Sequence, residues 1–282
     1  MTNQSPQSSN NNLFPSFDLN SLLIYSALVK AFSAVVSTPF ENFRSQAQTN
    51  PKNYQGMFYT AKRLGITESF KGVSLNISLG IIKQCGYRNY FMVLATQYNL
   101  SATQAAFLLT LGDSAVAQPL IRLKTHYTTS KNISLYEIAL KEKNPIKFFT
   151  SMSKGFSTKF TNDLLAWSVF YSFDPFIRRY ARNNSSTDVG YYGIIFGGYA
   201  IAGSVTEIAL APLKFCLTHV QKYEQPVKAA SPASLLKWAI KNHGRQVFAG
   251  SVPSICSAAS KLFTTSLIQE RINQKYKPTK ER

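Results

Sequence analysis

Six stretches of the chain are largely apolar: Leu22–Pro39, Val73–Ala95, Ala102–Leu120, Phe156–Phe173, Tyr191–Leu213 and Val247–Ile268. Each has about the length, roughly 17–25 residues, of a helix that crosses a bilayer. Each also carries ionisable residues: in order Lys30; Lys83 and Arg88; Asp113; Lys159 and Asp163; Glu207; and Lys261. A core helix of a soluble protein turns a polar face outward at every turn, and these do not. A simple lipid-facing span has no charge at its centre, and these have one or two. A helix with one face on lipid and the other on an aqueous cavity satisfies both facts. The bland alternative is a soluble helical bundle with buried ion pairs, and six repetitions of the pattern weigh against it. The pattern therefore predicts an all-α membrane protein with six transmembrane helices.

Loop charge gives the orientation. The long connection after the first segment holds Lys52, Lys62, Arg63 and Lys71. The one after the third holds Lys131, Lys141, Lys143, Lys147 and Lys154, and the one after the fifth Lys222, Lys228, Lys237, Lys241 and Arg245. The short connection after the second has no base, and that after the fourth has Arg178, Arg179 and Arg182. Three long basic loops on one membrane face fit the positive-inside rule. An even helix count then puts both termini on the opposite face.

Composition narrows the class. The 282 residues include 31 Lys+Arg against 13 Asp+Glu, a net charge of +18, yet only 16% are charged. A soluble nucleic-acid binder with such an excess carries many more charges of both signs, so no nucleic-acid partner is expected. Aromatics at 13% exclude a disordered basic tail. Three scattered cysteines, Cys85, Cys216 and Cys256, exclude a disulfide scaffold. His126, His219 and His243 lie far apart, which argues against zinc. No phosphate loop, nucleophile elbow or metal triad appears, so neither an enzyme nor a cofactor is expected. The first 29 residues lack Lys and Arg, which fits neither a cleavable presequence nor a secretory signal. Residues 1–18 read as a disordered leader and 274–282 as a polar tail.

The chain also repeats itself. Segments one, three and five end at Pro39, Pro119 and Pro212, followed by Phe40-Glu41-Asn42-Phe43-Arg44, Leu120-Ile121-Arg122-Leu123-Lys124 and Leu213-Lys214-Phe215-Cys216-Leu217. After each comes a long basic loop and then a glycine, Gly72, Gly155 or Gly250, at the next apolar segment. Gln48 and Gln221 each stand nine residues after a proline, and Ala202-Gly203 supplies small residues for close helix packing. In this the chain resembles the mitochondrial carrier family, whose odd helices end in P-x-[DE]-x-x-[KR]. The resemblance covers nearly the whole chain and implies three pseudo-threefold repeats, 19–100, 101–187 and 188–273, each with two transmembrane helices and a short matrix-side helix. Only Pro39-x-Glu41-x-x-Arg44 matches the pattern fully.

The resemblance also implies a matrix-side gate of salt bridges. By motif position Glu41 would meet Lys124, Ile121 would meet Leu217, and Lys214 would meet Arg44. One bridge survives, one is replaced by two apolar residues, and one becomes a like-charge contact. Losing both members of a pair costs less than orphaning one. Gln48 and Gln221 would brace the ring. The expectation is a weak matrix lock and looser coupling to counter-exchange.

The cavity can be phased at 3.6 residues per turn. Lys30 stands eleven residues before Glu41, Asp113 eleven before Lys124 and Glu207 seven before Lys214, so each shares an inward face with its gate residue. Lys83 and Lys261 both lie eleven residues after a repeat glycine. By resemblance, substrate contacts fall about seven residues after that glycine, at Leu79, Asn162 with its neighbour Asp163, and Ser257. Lys30, Lys83, Arg88, Lys159 and Lys261 outnumber Asp113, Asp163 and Glu207, so the cavity should concentrate anions. Tyr87, Tyr90, Trp167 and Phe170 are candidates to stack a base, with plain packing as the alternative. The expected substrate is a small anionic metabolite, a nucleotide such as ATP or ADP ahead of phosphate or a carboxylate. A non-transporting membrane scaffold with a degenerate carrier fold is the competing class. Helix N-termini near Gly56, Gly72, Gly155 and Gly250 can hold lipid phosphate, and the resemblance implies cardiolipin as structural lipid. It further implies a monomer in the mitochondrial inner membrane, both termini in the intermembrane space, delivered by the import machinery. The Asn/Ser-rich leader and divergent motifs also resemble nucleotide-carrier effectors that intracellular bacterial pathogens deliver to host mitochondria.

Overall fold

The computed structural model describes residues 19–49, 51–115, 121, 155–222 and 231–276. They are helical, with no strand among them. Helix α1 is Leu19–Thr49 and α2 is Met57–Ser69. Helix α3, Val73–Lys83, passes through a π-helical turn, Gln84–Arg88, into α4, Asn89–Gln97. Helix α5 is Ala102–Ala115, α6 Phe156–Asn184 and α7 Asp188–Lys222. Helix α8 is Pro232–His243 and α9 Ser251–Tyr276. Six rods close a ring in chain order: α1, the α3–α4 rod, α5, α6, α7 and α9, with α9 packed back on α1. Helix α2 packs on α1, and α8 on α7.

The ring is polar inside and apolar outside. On α1, Ser26, Lys30, Ser33, Ser37 and Glu41 are buried and recur every three to four residues, one face of a helix. On the other face Ile24, Leu28 and Phe32 are 63%, 67% and 66% exposed. Helix α7 repeats the pattern with exposed Ile201, Val205 and Ile208, and α6 with Phe173, Phe176 and Tyr180. Apolar patches of this extent on a protein's outside mark a surface that meets something other than water. Two stretches, Asn20–Thr49 and Asp188–Val220, are long and apolar enough by themselves to cross a membrane among the described residues. The remaining rods are less apolar: a π-helical turn interrupts the second, and α6 carries a string of inward polar groups.

A buried core of Leu22, Met92, Leu109, Trp167, Phe170, Tyr199 and Ile268 joins all six rods. A smaller one, Phe215, Cys216, Leu235, Ala239 and Val247, fixes the end of α7 to α8. That second core explains one difference from the sequence reading. Pro39 and Pro212 do not end their helices: α1 continues ten residues past the first and α7 ten past the second. Proline removes one intrahelical hydrogen bond and strains the turn before it. Tertiary contacts hold the extensions. Asn42 Nδ2 donates to the carbonyls of Ser69 (2.8 Å) and Lys71 (2.9 Å), and Phe215 and Cys216 are buried against α8.

The three repeat glycines share one conformation. Gly72, Gly155 and Gly250 have φ of 77°, 80° and 83° and directly precede α3, α6 and α9. At Gly250 a Cβ would stand 3.1 Å from the Arg44 carbonyl oxygen. Gly250→Ala is therefore expected to lower stability by about 1–2 kcal/mol from the left-handed backbone alone. Gly197→Ala, in α7 with open space at its Cβ, should be neutral or slightly stabilising. Thermal unfolding of the two purified variants checks the contrast; equal melting temperatures would contradict it.

Candidate functional site

The ring encloses a cavity of about 360 Å³. Helix α1 contributes Lys30, Ser33, Ser37, Glu41 and Arg44. Asn76, Leu79 and Lys83 come from α3, Arg88 from the π-helical turn, and Asp113 from α5. Helix α6 gives Lys159, Asn162, Asp163 and Trp167; α7 gives Lys214, Leu217 and Thr218; α9 gives Lys261 and Thr265. The 3.6-residue phasing thus puts Lys30 and Glu41 on one wall, as expected. Lys83 and Lys261 also both line the cavity. The residue eleven positions after Gly155, Ala166, lines it too, which gives the three repeats one shared depth.

Most charges are neutralised within the cavity. Asp113 accepts from Arg88 Nε at 2.9 Å, from Arg88 Nη2, from Trp167 Nε1 at 3.0 Å and from the Tyr87 hydroxyl. The Arg88 guanidinium sits 5.0 Å from the Trp167 ring centre, within cation–π range. The extra residue of the π-helical turn re-aims Tyr87 and Arg88 at α5, a use to which such bulges are often put. Gly112 makes room, since a Cβ there would lie 2.5 Å from the Tyr87 ring. Lys159 pairs with Asp163 one turn on, and Lys261 with Glu41 on the neighbouring α1. Asn76 Nδ2 supports Glu41 at 3.2 Å.

Lys214 does not turn to Arg44. It pairs with Glu207, two turns earlier on α7, and Ser254 also donates to that carboxylate. Two cations repel, and the nearby carboxylate satisfies one of them at little conformational cost. Arg44, expected only as a gate residue, faces the cavity, its buried Nε lacking a partner among the described residues. Ile121 and Leu217 both border the cavity, and Gln48 accepts from Thr218 at 2.7 Å. Pro119, Lys124 and the Gln221 side chain lie outside the described residues, so the Glu41–Lys124 and Gln221 expectations do too.

Other expected contacts fall elsewhere. Ser257 is buried away from the cavity lining. Glu207 borders a smaller side cavity of about 140 Å³, which it shares with Lys261. Tyr90 is 40% exposed and off the site, whereas Trp167 and Phe170 line it. Gly56, with φ of 103°, starts α2. Lys30, paired with no carboxylate among the described residues, donates to Thr265 Oγ1 at 2.7 Å.

Sequence reasoning missed a second polar cluster, in the wall formed by α6, α7 and α9. Arg178, read as a loop charge, is buried inside α6. It donates to Asp174 at 2.9 Å and to the Ser266 carbonyl at 2.6 Å, and faces Glu270 at 3.4 Å. Tyr199 donates to Asp174, and Tyr191 to Glu270 at 3.0 Å. The Asp174–Arg178 spacing of four was the available signal. No family model matches the chain, and no curated protein matches it.

Proposed function

We propose that this chain is a solute carrier of the mitochondrial carrier type, with six membrane-crossing rods in three repeats. It moves an anionic metabolite, foremost a nucleotide such as ATP or ADP, across the mitochondrial inner membrane by alternating access. One observation carries this reading: a closed ring of helices with an apolar outside holds a cavity where Lys and Arg outnumber Asp and Glu. Lipid is the medium that suits such an outside. The three left-handed glycines and the helices that run through Pro39 and Pro212 support the repeat. Basic side chains in a cavity with low-dielectric walls concentrate anions and hold them by charge-assisted hydrogen bonds, and Trp167 and Phe170 offer faces for a base.

The test is reconstitution of the purified chain in proteoliposomes, with labelled ATP, ADP, phosphate and dicarboxylates offered in turn. Saturable uptake of nucleotide above protein-free liposomes is expected. Uptake of phosphate or a dicarboxylate alone would reassign the substrate. No uptake of any anion by folded protein would overturn the reading in favour of a scaffold.

A further inference from the structure

Helices α7 and α8 meet along two matching stripes. On α8 Leu235, Ala239 and His243 recur every four residues, and on α7 so do Phe215 and His219. Phe215, Leu235 and Ala239 are buried where the helices touch. The last place in each stripe holds a half-buried histidine. The two are far apart in the sequence, yet their ring centres lie 5.4 Å apart. Both rings lean on Phe215, with centres 4.2 Å and 5.0 Å from its own. Trp238 flanks them at 6.1 Å and 5.3 Å.

We infer that His219 and His243 are the protein ligands of a site for a transition-metal dication, Zn2+ or Cu2+, which clamps α8 to the end of α7. The spacing of the rings fits. A histidine nitrogen binds zinc at about 2.0–2.1 Å, so two rings on one tetrahedral ion have centres about 5 Å apart. The tautomer fits as well. His219 Nδ1 lies 3.1 Å from the Phe215 carbonyl oxygen. A carbonyl only accepts, so in the neutral ring Nδ1 carries the proton and Nε2 the lone pair. A backbone carbonyl on the far ring nitrogen is a usual orienting partner of a metal-ligating histidine. The local field favours a cation too. Both histidines stand in the last turn of their helices, at the negative end of the peptide dipoles. That offsets the neighbouring bases, Lys241 and Arg245, which are exposed to water.

Imidazole suits zinc and copper, whereas magnesium and calcium take oxygen ligands. No group of three metal-ligating side chains occurs among the described residues, so water completes the shell. Ring packing alone gives the pair no metal affinity, and that separates the two readings. The inference does not depend on the carrier reading, because it is tested by binding alone.

The untagged chain, purified in detergent, is titrated with Cu2+ and Zn2+ salts. Cu2+ should quench Trp238 fluorescence saturably, because the indole stands beside the site, and excess Zn2+ should relieve the quench. Zn2+ should raise the melting temperature by a few degrees, since it binds the folded chain. His219→Asn and His243→Asn should each weaken copper binding by about tenfold or more and remove the thermal shift. His219→Cys, which keeps a zinc ligand, should retain the zinc shift. Trp238→Phe should lose the quench and keep the shift, and His126→Asn should behave as wild type. Folded wild type that binds neither ion saturably would overturn the inference. So would binding that survives both His219→Asn and His243→Asn, or that is lost with His126→Asn. None of these results bears on anion uptake.

Discussion

Arg178→Ala should cost about 3–5 kcal/mol of stability, the loss expected when one partner of a buried ion pair is removed. Arg178 is 6% exposed and stands between Asp174 on its own helix and Glu270 on α9. It also binds the Ser266 carbonyl and Ser266 Oγ, at 2.6 and 2.7 Å. Truncation would leave two acids and a carbonyl in a dry wall with two tyrosine hydroxyls as their remaining support. Arg178→Lys keeps the charge but loses the planar fork, so it should recover only part of the loss. Thermal unfolding in detergent reads both variants. A fall in melting temperature no larger than that of an exposed Arg179→Ala variant would show that the cluster contributes little.

Asp113→Ala should be comparably severe, and its rescue is diagnostic. The substitution strands Arg88 in the cavity wall and removes the acceptor of Tyr87 and Trp167. The double variant Asp113→Ala, Arg88→Leu removes both charges, and a pair replaced by apolar groups is often near neutral. The single variant should therefore lose about 3–5 kcal/mol and the double variant should regain more than half of it. Additive losses in the cycle would mean that the two side chains do not act as a unit.

How much of this was legible in the sequence follows from periodicity. Inward residues such as Lys30, Glu41, Lys83 and Lys261 sit at helical intervals from a proline or a glycine, so counting along the chain finds the cavity wall. The repeat glycines were visible as residues, and their left-handed φ gives the reason for glycine at these three places. Pairing was not legible. Lys261 meets Glu41 from 220 residues away, and Lys214 turns to Glu207 rather than to the helix the gate pattern pointed to. The first choice depends on contacts between helices, which spacing within one helix does not contain; the second lay in the seven-residue spacing of Glu207 and Lys214, which gives a shared face but not the choice of partner. The π-helical turn was hidden as well, because one added residue leaves no mark in an apolar run. It sets where Tyr87 and Arg88 point, and hence where the main counter-ion, Asp113, is engaged. Helix ends were misjudged at Pro39 and Pro212 because local chemistry disfavours continuation, while Asn42 and the Phe215 cluster supply it from outside the helix.

The central claim is that anions pass through the ring. Ser37 lines the cavity between Lys30 and Arg44. The decisive measurement is the initial rate of labelled ATP uptake by a Ser37→Cys variant in proteoliposomes. Cys85 and Cys256 are replaced by alanine, and rates are compared before and after reaction with an anionic thiol reagent. Saturable uptake that falls at least tenfold after modification is the predicted result. Uptake that is unchanged by modification of Ser37→Cys would contradict it.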